Sequence, residues 1–173
     1  KSEKEKGKKA EYEYSWRRQN WFDYSAAEHM AVRQKVGMFD MSSFGKIKLI
    51  GRDAEAVLQI IAANDVAVSV GKIVYTQFLN DDGHIEADVT VTRLGLEEFL
   101  IVTPAATIRR DLHWINGHIP DNAHAIAIDV TVSESVLVVM GPEARSFLHP
   151  MIPQSLANDD FAFGTMQQIE IGH

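Results

Sequence analysis

Apolar and polar residues alternate most regularly over Ile85–Thr92, where Ile85, Ala87, Val89 and Val91 fall on one face of an extended chain and Glu86, Asp88, Thr90 and Thr92 on the other. The preceding run, Val74–Leu79, is also rich in β-formers, and Asn80-Asp-Asp-Gly83 joins the two. A glycine-containing four-residue loop between such runs predicts a β-hairpin. Phe44–Ile50 alternates as well, with Ile47 and Leu49 set against Lys46 and Lys48, and reads as a half-buried strand. Further strands are expected at Glu98–Val102, Ala125–Val130 and Val136–Met140.

Elsewhere the period becomes helical. Ser25-Ala-Ala-Glu28 has the form of a capping box, and Ala27, Met30, Ala31 and Val36 follow at helical spacing to about Gly37. Asp53 is placed to cap a second helix through Ile61. Pro104 opens a third through about Ile115, with Gly117 as its C′ residue, and Pro142–Leu148 forms a short fourth. Tyr12–Phe22, dense in rings and arginine, has no clean period and is expected to be an extended segment docked by its aromatic side chains.

One pattern repeats. Gly51-Arg-Asp-Ala54 with Leu58 matches Gly141-Pro-Glu-Ala144 with Leu148 at the same offsets after an apolar strand. Downstream of each come Ala-Asn-Asp (Ala63–Asp65 and Ala157–Asp159), a glycine (Gly71 and Gly164) and a further expected strand. This echo favours an α+β domain built from duplicated strand–helix–strand units with a largely antiparallel sheet.

Composition narrows the classes. The 173 residues are 46% hydrophobic and 24% charged, as in ordinary globular domains. No cysteine is present, which excludes disulfides, thiolate metal sites and cysteine nucleophiles. The formal charge is −7, which argues against a nucleic-acid partner. Lys1–Ala10 holds five lysines and two glutamates, a net +3, so the remainder carries −10 of that total. Residues 1–13 are therefore expected to be a solvated linker or tail and 14–173 the folded part. No apolar run is long enough for a membrane span, and no signal-peptide core follows the opening charges. The lack of an initiating Met and a last segment, Glu170–His173, that reads as an interrupted strand suggest a piece of a larger polypeptide. An acidic, cysteine-free chain suits the cytoplasm or the mitochondrial matrix equally.

The candidate chemistry lies in the hairpin. Two carboxylates and two hydroxyls in a row on one strand face form either the polar wall of a pocket, with Asp88 as its central charge, or the wet face of an antiparallel sheet, the commoner origin of such a pattern. A calcium loop fails, because Gly83 at its sixth position would put Phe78 first and Val89 twelfth. There is no HExxH motif, Walker A segment, GxGxxG or serine nucleophile elbow. No metal is expected.

The same hairpin, preceded by Gly37-Met-Phe-Asp40-Met-Ser-Ser-Phe-Gly45 and followed by Phe99-Leu-Ile-Val-Thr-Pro-Ala-Ala106 and Val139-Met-Gly-Pro142, resembles the glycine-cleavage T-protein, or aminomethyltransferase, family. Asn20-Trp-Phe-Asp-Tyr-Ser25-Ala-Ala-Glu-His29 and Ile85-Glu-Ala-Asp-Val-Thr-Val-Thr-Arg93 look most like the folate-binding portion of dimethylglycine and sarcosine dehydrogenases. The likeness runs from about Tyr14 to the end. It implies the N-terminal part of the T-protein folate-binding fold, tetrahydrofolate as cofactor, and transfer of a one-carbon unit from an aminomethyl donor or methylated amine. FAD is implied only where a flavin domain precedes this segment, and a lipoyl carrier protein is the partner in the T-protein itself.

Residue by residue, the family's essential aspartate falls on Asp88 and its folate-facing tyrosine on Tyr75. Thr103 stands where the T-protein tends to have asparagine. The two adjacent acids usual in the T-protein are reduced here to the second, after Ala87. The family's pterin-recognising glutamate falls beyond His173, so this fragment is expected to be inactive alone. A non-catalytic folate-binding or assembly protein, and a demethylase of another methyl donor such as a sulfonium compound, are the alternatives.

Overall fold

The computed structural model describes residues 11–172. These divide into two compact units, residues 11–37 with Val139–Phe147, and Met38–Val138 with residues 148–172. The chain runs α1 (Phe22–Gln34), β1 (Gly37–Asp40), β2 (Gly45–Ile50), α2 (Ala54–Ile61), β3 (Ile73–Leu79), β4 (Ile85–Arg93), β5 (Glu98–Thr103), α3 (Ile108–Gly117), β6 (Ile126–Asp129), β7 (Leu137–Met140) and α4 (Ala144–Leu148). β1 and β7 form a two-stranded sheet.

The second unit is built on a five-stranded sheet of order β3-β4-β5-β2-β6, in which every pairing is antiparallel. The fold is thus mixed α and β with a mostly antiparallel sheet, as the alternation and the internal echo predict. One sheet face carries Ile47, Leu49, Phe78, Ala87, Val89, Val91, Phe99 and Ile101, all nearly inaccessible. α2 adds Val57, Leu58 and Ile61 to this core, and α3 adds Ile115. Burial of this apolar surface is the main favourable contribution to folding.

Two local devices set the helices against the sheet. Gly45 pairs with Thr103, and a Cβ there would lie 2.7 Å from Thr103 Cγ2 and 2.9 Å from Ile108 Cγ1. Only glycine lets the start of α3 sit this close to β2. Arg93, at the end of β4, pairs with Glu55 of α2 at 2.5 Å and donates to the carbonyl oxygens of Val68, Gly95 and Leu96. A planar guanidinium can serve several acceptors at once, so one side chain ties α2 to the β4–β5 turn.

The repeated motif corresponds to a repeated corner. Gly51 (φ +135°) ends β2 and Gly141 (φ +124°) ends β7. The amide of Ala54 donates to the Gly51 carbonyl and that of Ala144 to the Gly141 carbonyl, and a helix begins at each alanine. A Cβ on Gly51 would come 2.0 Å from His124 O, and one on Gly141 2.3 Å from Lys35 O. Each glycine is therefore required by its own corner.

Several boundaries differ from expectation. α1 starts at Phe22, so Ser25 and Glu28 lie inside it and form no capping box; Trp21 is its N-cap, without a side-chain hydrogen bond, and the helix buries no residue. The aromatic lead-in does not dock by its rings, since Tyr14 and Trp16 are fully exposed. Pro104 precedes α3 rather than opening it. Thr107 donates its amide to the Pro104 carbonyl, and the helix starts at Ile108. Gly117 is the last helical residue, without the positive φ of a C′ glycine. Asp53 is the N-cap of α2, but its carboxylate accepts from the amide of His124 instead. Residues 167–172 form no strand, and Thr165 makes only an isolated bridge to Lys72. The lysine-rich opening, expected to be a tail, lies outside the described residues up to Ala10.

Candidate functional site

The outer face of the sheet, opposite the core, gathers the polar residues of the hairpin. The register across β3 and β4 is Tyr75 to Thr90, Thr76 to Val89, Gln77 to Asp88 and Phe78 to Ala87, and it slips by one so that Leu79 faces Ile85. Glu86 is the extra residue of this bulge. Slipping a strand pair by one residue turns a whole set of side chains to the other face. Continued from Leu79–Ile85 without the bulge, the register would set Ala87 against Gln77 and Asp88 against the buried Thr76. The bulge aligns Ala87 and Val89 with the buried Phe78 and Thr76, and brings Asp88 out beside Gln77 and Tyr75.

Asp88 is exposed, and one of its carboxylate oxygens accepts from the Gln77 side-chain amide at 3.1 Å. Tyr75, 59% exposed, lies diagonal to Asp88 on the same face of the strand pair. Hydrogen bonding toward Asp88, then partial loss of hydration, then the negative charge of that carboxylate hold the phenol above the ordinary tyrosine range, against a smaller opposing effect of Gln77. An accepting carboxylate, a primary amide and an aromatic ring open to solvent thus converge on two adjacent strands. Such a set can receive an N–H group, balance a developing positive charge and lie against a flat heterocycle.

Glu86 is part of the framework of this site. Its carboxylate accepts from the Asn80 side-chain amide at 3.0 Å, while Asn80 Oδ1 caps the turn by accepting from the amides of Asp82 and His84. The hairpin therefore closes on Asn80 as well as on Gly83.

Thr103 is not beside Tyr75 and Asp88. It follows Phe99 and Ile101 on the core face of β5, is 1% exposed, and donates its hydroxyl to Asp111 Oδ2. Asp111, on α3, is equally buried; the same oxygen accepts from Thr107 at 2.6 Å, and Oδ1 accepts from Arg110 Nε at 3.1 Å. A buried carboxylate is tolerated because each oxygen is hydrogen-bonded. Arg110 in turn donates to the backbone carbonyl of Glu86.

Lys46, expected on the polar face of β2, is 1% exposed. Its Nζ donates to the carbonyl oxygens of Ser42 and Phe44, at 2.9 Å each. Its charge also contributes to holding Asp40 and Asp129 below the ordinary carboxylate range, behind the larger effects of Ser42 on Asp40 and Thr131 on Asp129.

Gln77, Arg110, Asp111 and Lys46 did not stand out in the sequence. Gln77 would emerge from the hairpin pattern once the bulge is placed, since matching Phe78 to Ala87 on the buried face sets Gln77 against Asp88. The other three depend on contacts between separate elements. Among the described residues no group of three or more His, Asp or Glu could hold a metal ion, and no helix is long and apolar enough to cross a membrane.

Comparison with known proteins gives a consistent set. Residues 2–173 match the family model described as GCVT N-terminal domain. The chain is 40% identical over 164 residues to 4-methylaminobutanoate oxidase (formaldehyde-forming) of Paenarthrobacter nicotinovorans, covering 94% of this chain and 20% of that protein. It is 34% identical to mitochondrial dimethylglycine dehydrogenase of Mus musculus, covering 91% of this chain and 18% of that protein. It is 35% identical to an aminomethyltransferase of Staphylococcus carnosus, over 72% of this chain and 34% of the relative. The chain thus spans about a fifth of the first two. Among solved structures, the glycine cleavage aminomethyltransferase T of Bartonella henselae superposes with a TM-score of 0.70 at 24% identity, covering 80% of this chain and 37% of that one. A chain of the heterotetrameric sarcosine oxidase of Corynebacterium sp. U-96 gives 0.63 at 20% identity, over 91% of this chain and 77% of that one. Both support the fold.

Proposed function

The chain belongs to the GCVT N-terminal domain family, and from that premise we propose that it is the tetrahydrofolate-binding, one-carbon-accepting module of an enzyme that demethylates an amine. The observation that carries this reading is the Asp88 carboxylate, steadied by Gln77 and Tyr75 and still exposed. A reduced pterin with its aryl amine presents N–H donors on a flat frame. The acceptor on Asp88 and the open ring of Tyr75 fit that chemistry.

Tetrahydrofolate supplies a nitrogen nucleophile that takes up the one-carbon unit. Asp88 orients the N–H, offsets positive charge developing on the nitrogen and accepts the proton that leaves. Tyr75 offers a flat apolar face with a polar rim beside that carboxylate, and Gln77 keeps the carboxylate aimed. Thr103 contributes through Asp111, because its hydroxyl is already committed there.

The donor we infer is an N-methylated amino acid. The names of the relatives include 4-methylaminobutanoate and dimethylglycine. In a polypeptide of their length, FAD in another domain would oxidise the N-methyl group. An aminomethyl group delivered by a lipoyl carrier protein is the corresponding donor in the aminomethyltransferase reading.

The test uses the full-length polypeptide that carries this segment. Tetrahydrofolate is titrated, and methylenetetrahydrofolate formation is followed with dimethylglycine, sarcosine and 4-methylaminobutanoate. Binding followed by turnover with one of these supports the reading. Binding without methylenetetrahydrofolate from any of the three donors would overturn the amine reading: methyltetrahydrofolate formed from an added sulfonium donor would then change the substrate class, its absence would leave a non-catalytic folate-binding protein, and no binding at all would overturn the folate reading itself.

A further inference from the structure

The bulge that brings Asp88 to the outer face has a restraint of its own, remote in sequence. Glu86, the bulge residue, has its backbone carbonyl taken by the guanidinium of Arg110. Extra residues in a β-bulge interrupt the ladder, and their backbone groups need other partners. Arg110, although its side chain is 58% exposed, is tethered: its Nε donates to Asp111 Oδ1 at 3.1 Å, and the Nη that serves Glu86 forms an ion pair with the same oxygen at 3.1 Å. Asp111 is fixed through its other oxygen by Thr103 at the end of β5 and Thr107 at the start of α3. A continuous set of hydrogen bonds thus runs from the β5–α3 corner to the residue two positions before Asp88. Asn80 holds the Glu86 side chain from the turn. Main chain and side chain of the bulge are both anchored.

We propose that Arg110, locked by the buried Asp111, is the positioning residue for Asp88: it pins the Glu86 bulge and so fixes the direction in which the Asp88 carboxylate is presented. Arg110 touches neither Tyr75, Gln77 nor the Asp88 side chain in any hydrogen bond of the structure; it acts through the backbone. The buried pairs Phe78–Ala87 and Thr76–Val89 keep the register when Arg110 is removed, so the expected consequence is a loosened bulge and not a lost fold. Its bearing on catalysis rests on the one-carbon transfer reading, whereas its effect on the geometry of the hairpin does not.

The experiment exploits that separation. The Tyr75 phenol, diagonal to Asp88 across the strand pair, reports the placement of that carboxylate, since its raised pKa depends first on Asp88. Tyr75 is titrated by ultraviolet difference against Tyr75→Phe, in wild type, Arg110→Ala, Arg110→Lys and Asp88→Asn. The Tyr75 pKa in Arg110→Ala is expected to fall part of the way toward its value in Asp88→Asn, with Arg110→Lys between Arg110→Ala and wild type. In the full-length enzyme, kcat for methylenetetrahydrofolate formation in Arg110→Ala is expected to fall about tenfold, with KM for tetrahydrofolate within about twofold, because misaiming a reacting group costs rate more than binding. An unchanged Tyr75 titration in a folded Arg110→Ala protein overturns the inference. If wild type transfers no carbon to tetrahydrofolate, the functional reading fails, and the Tyr75 titration still decides the role of Arg110.

Discussion

The side-chain amide of Gln77 donates to the carboxylate of Asp88 from the position directly across the strand pair, and Tyr75, two residues earlier on the same strand, lies diagonal to that carboxylate, which is the main cause holding its phenol above the ordinary tyrosine range. One strand thus presents both partners of the carboxylate carried by its neighbour, a cross-strand arrangement close enough for side chains to interact.

The diagonal contact has a measurable sign. Asp88 accepts from the neutral phenol and opposes the phenolate, so the folded-state pKa of Tyr75 lies above its unfolded value. The stabilisation from this contact is fully present below the unfolded pKa, about 10 for tyrosine, and is lost as pH rises through the folded one. Replacing Asp88 with Asn removes the charge and weakens the acceptor. Spectrophotometric titration, with Tyr75→Phe as the reference, is expected to show Tyr75 ionising at lower pH in Asp88→Asn than in wild type.

Asp88 also carries the proposed chemistry, so Asp88→Asn is expected to lower the rate of one-carbon transfer by about 10²–10⁴-fold, the usual worth of a positioned acid–base group. Tetrahydrofolate affinity should change far less, because the amide keeps shape and one acceptor. Single-turnover kinetics with binding measured in parallel checks this. A loss confined to affinity would make Asp88 a binding residue only.

Gly45→Ala tests the contact between β2 and α3. The added Cβ would lie 2.7 Å from Thr103 Cγ2 and 2.9 Å from Ile108 Cγ1. Both are held, Thr103 through its bond to Asp111 and Ile108 in the first turn of α3. Overpacking of this kind costs about 1–3 kcal/mol, and a lower urea midpoint is the expected readout. Thr103→Ser in the Gly45→Ala background, which removes Cγ2 and keeps the hydroxyl, should restore part of the loss.

Much of this fold was legible because it rests on local patterns. The hairpin, the β5 strand, the α2 helix and the two glycine corners each follow from period, turn chemistry or repetition within a few residues. The site was half legible for the same reason. Asp88 and Tyr75 stand in a readable hairpin, and resemblance weighted them above an ordinary wet face. The bulge at Glu86 was not readable, because strict alternation through Ile85–Thr92 suits either register near the turn. The errors at α1 and α3 have a related cause: Ser25-Ala-Ala-Glu28 and Pro104 are valid start signals in isolation, and the chain starts its helices at Phe22 and Ile108 instead. For α3 the neighbouring hydrogen bonds give the reason, since Thr107 and Thr103 converge on Asp111 one turn into the helix.

Lys46 departs furthest from the expectation of alternation, and its burial makes a sharp prediction. It stands on the outer face of β2 in register with Val102 and is closed off from solvent, its ammonium spent on the Ser42 and Phe44 carbonyl oxygens. Lys46→Met keeps the length of the stem and leaves both carbonyls without this donor. Losing two hydrogen bonds from a charged group at partly buried acceptors puts the loss at about 2–4 kcal/mol. The pH dependence should change in a defined direction. Asp40 and Asp129 sit below their ordinary pKa mainly through Ser42 and Thr131, with the Lys46 charge adding to both. Their contribution to stability is present above the unfolded carboxylate range and is lost as pH falls through the lowered values. Without the ammonium those values rise toward the ordinary range, so less stability is contributed and its loss begins at higher pH. Urea unfolding of wild type and Lys46→Met at a series of pH values from neutral to acid should therefore show the variant weaker throughout and turning down earlier on the acid side. An acid profile parallel to wild type would mean that the Lys46 charge does not reach the two carboxylates, and that its role is confined to the two carbonyls it holds.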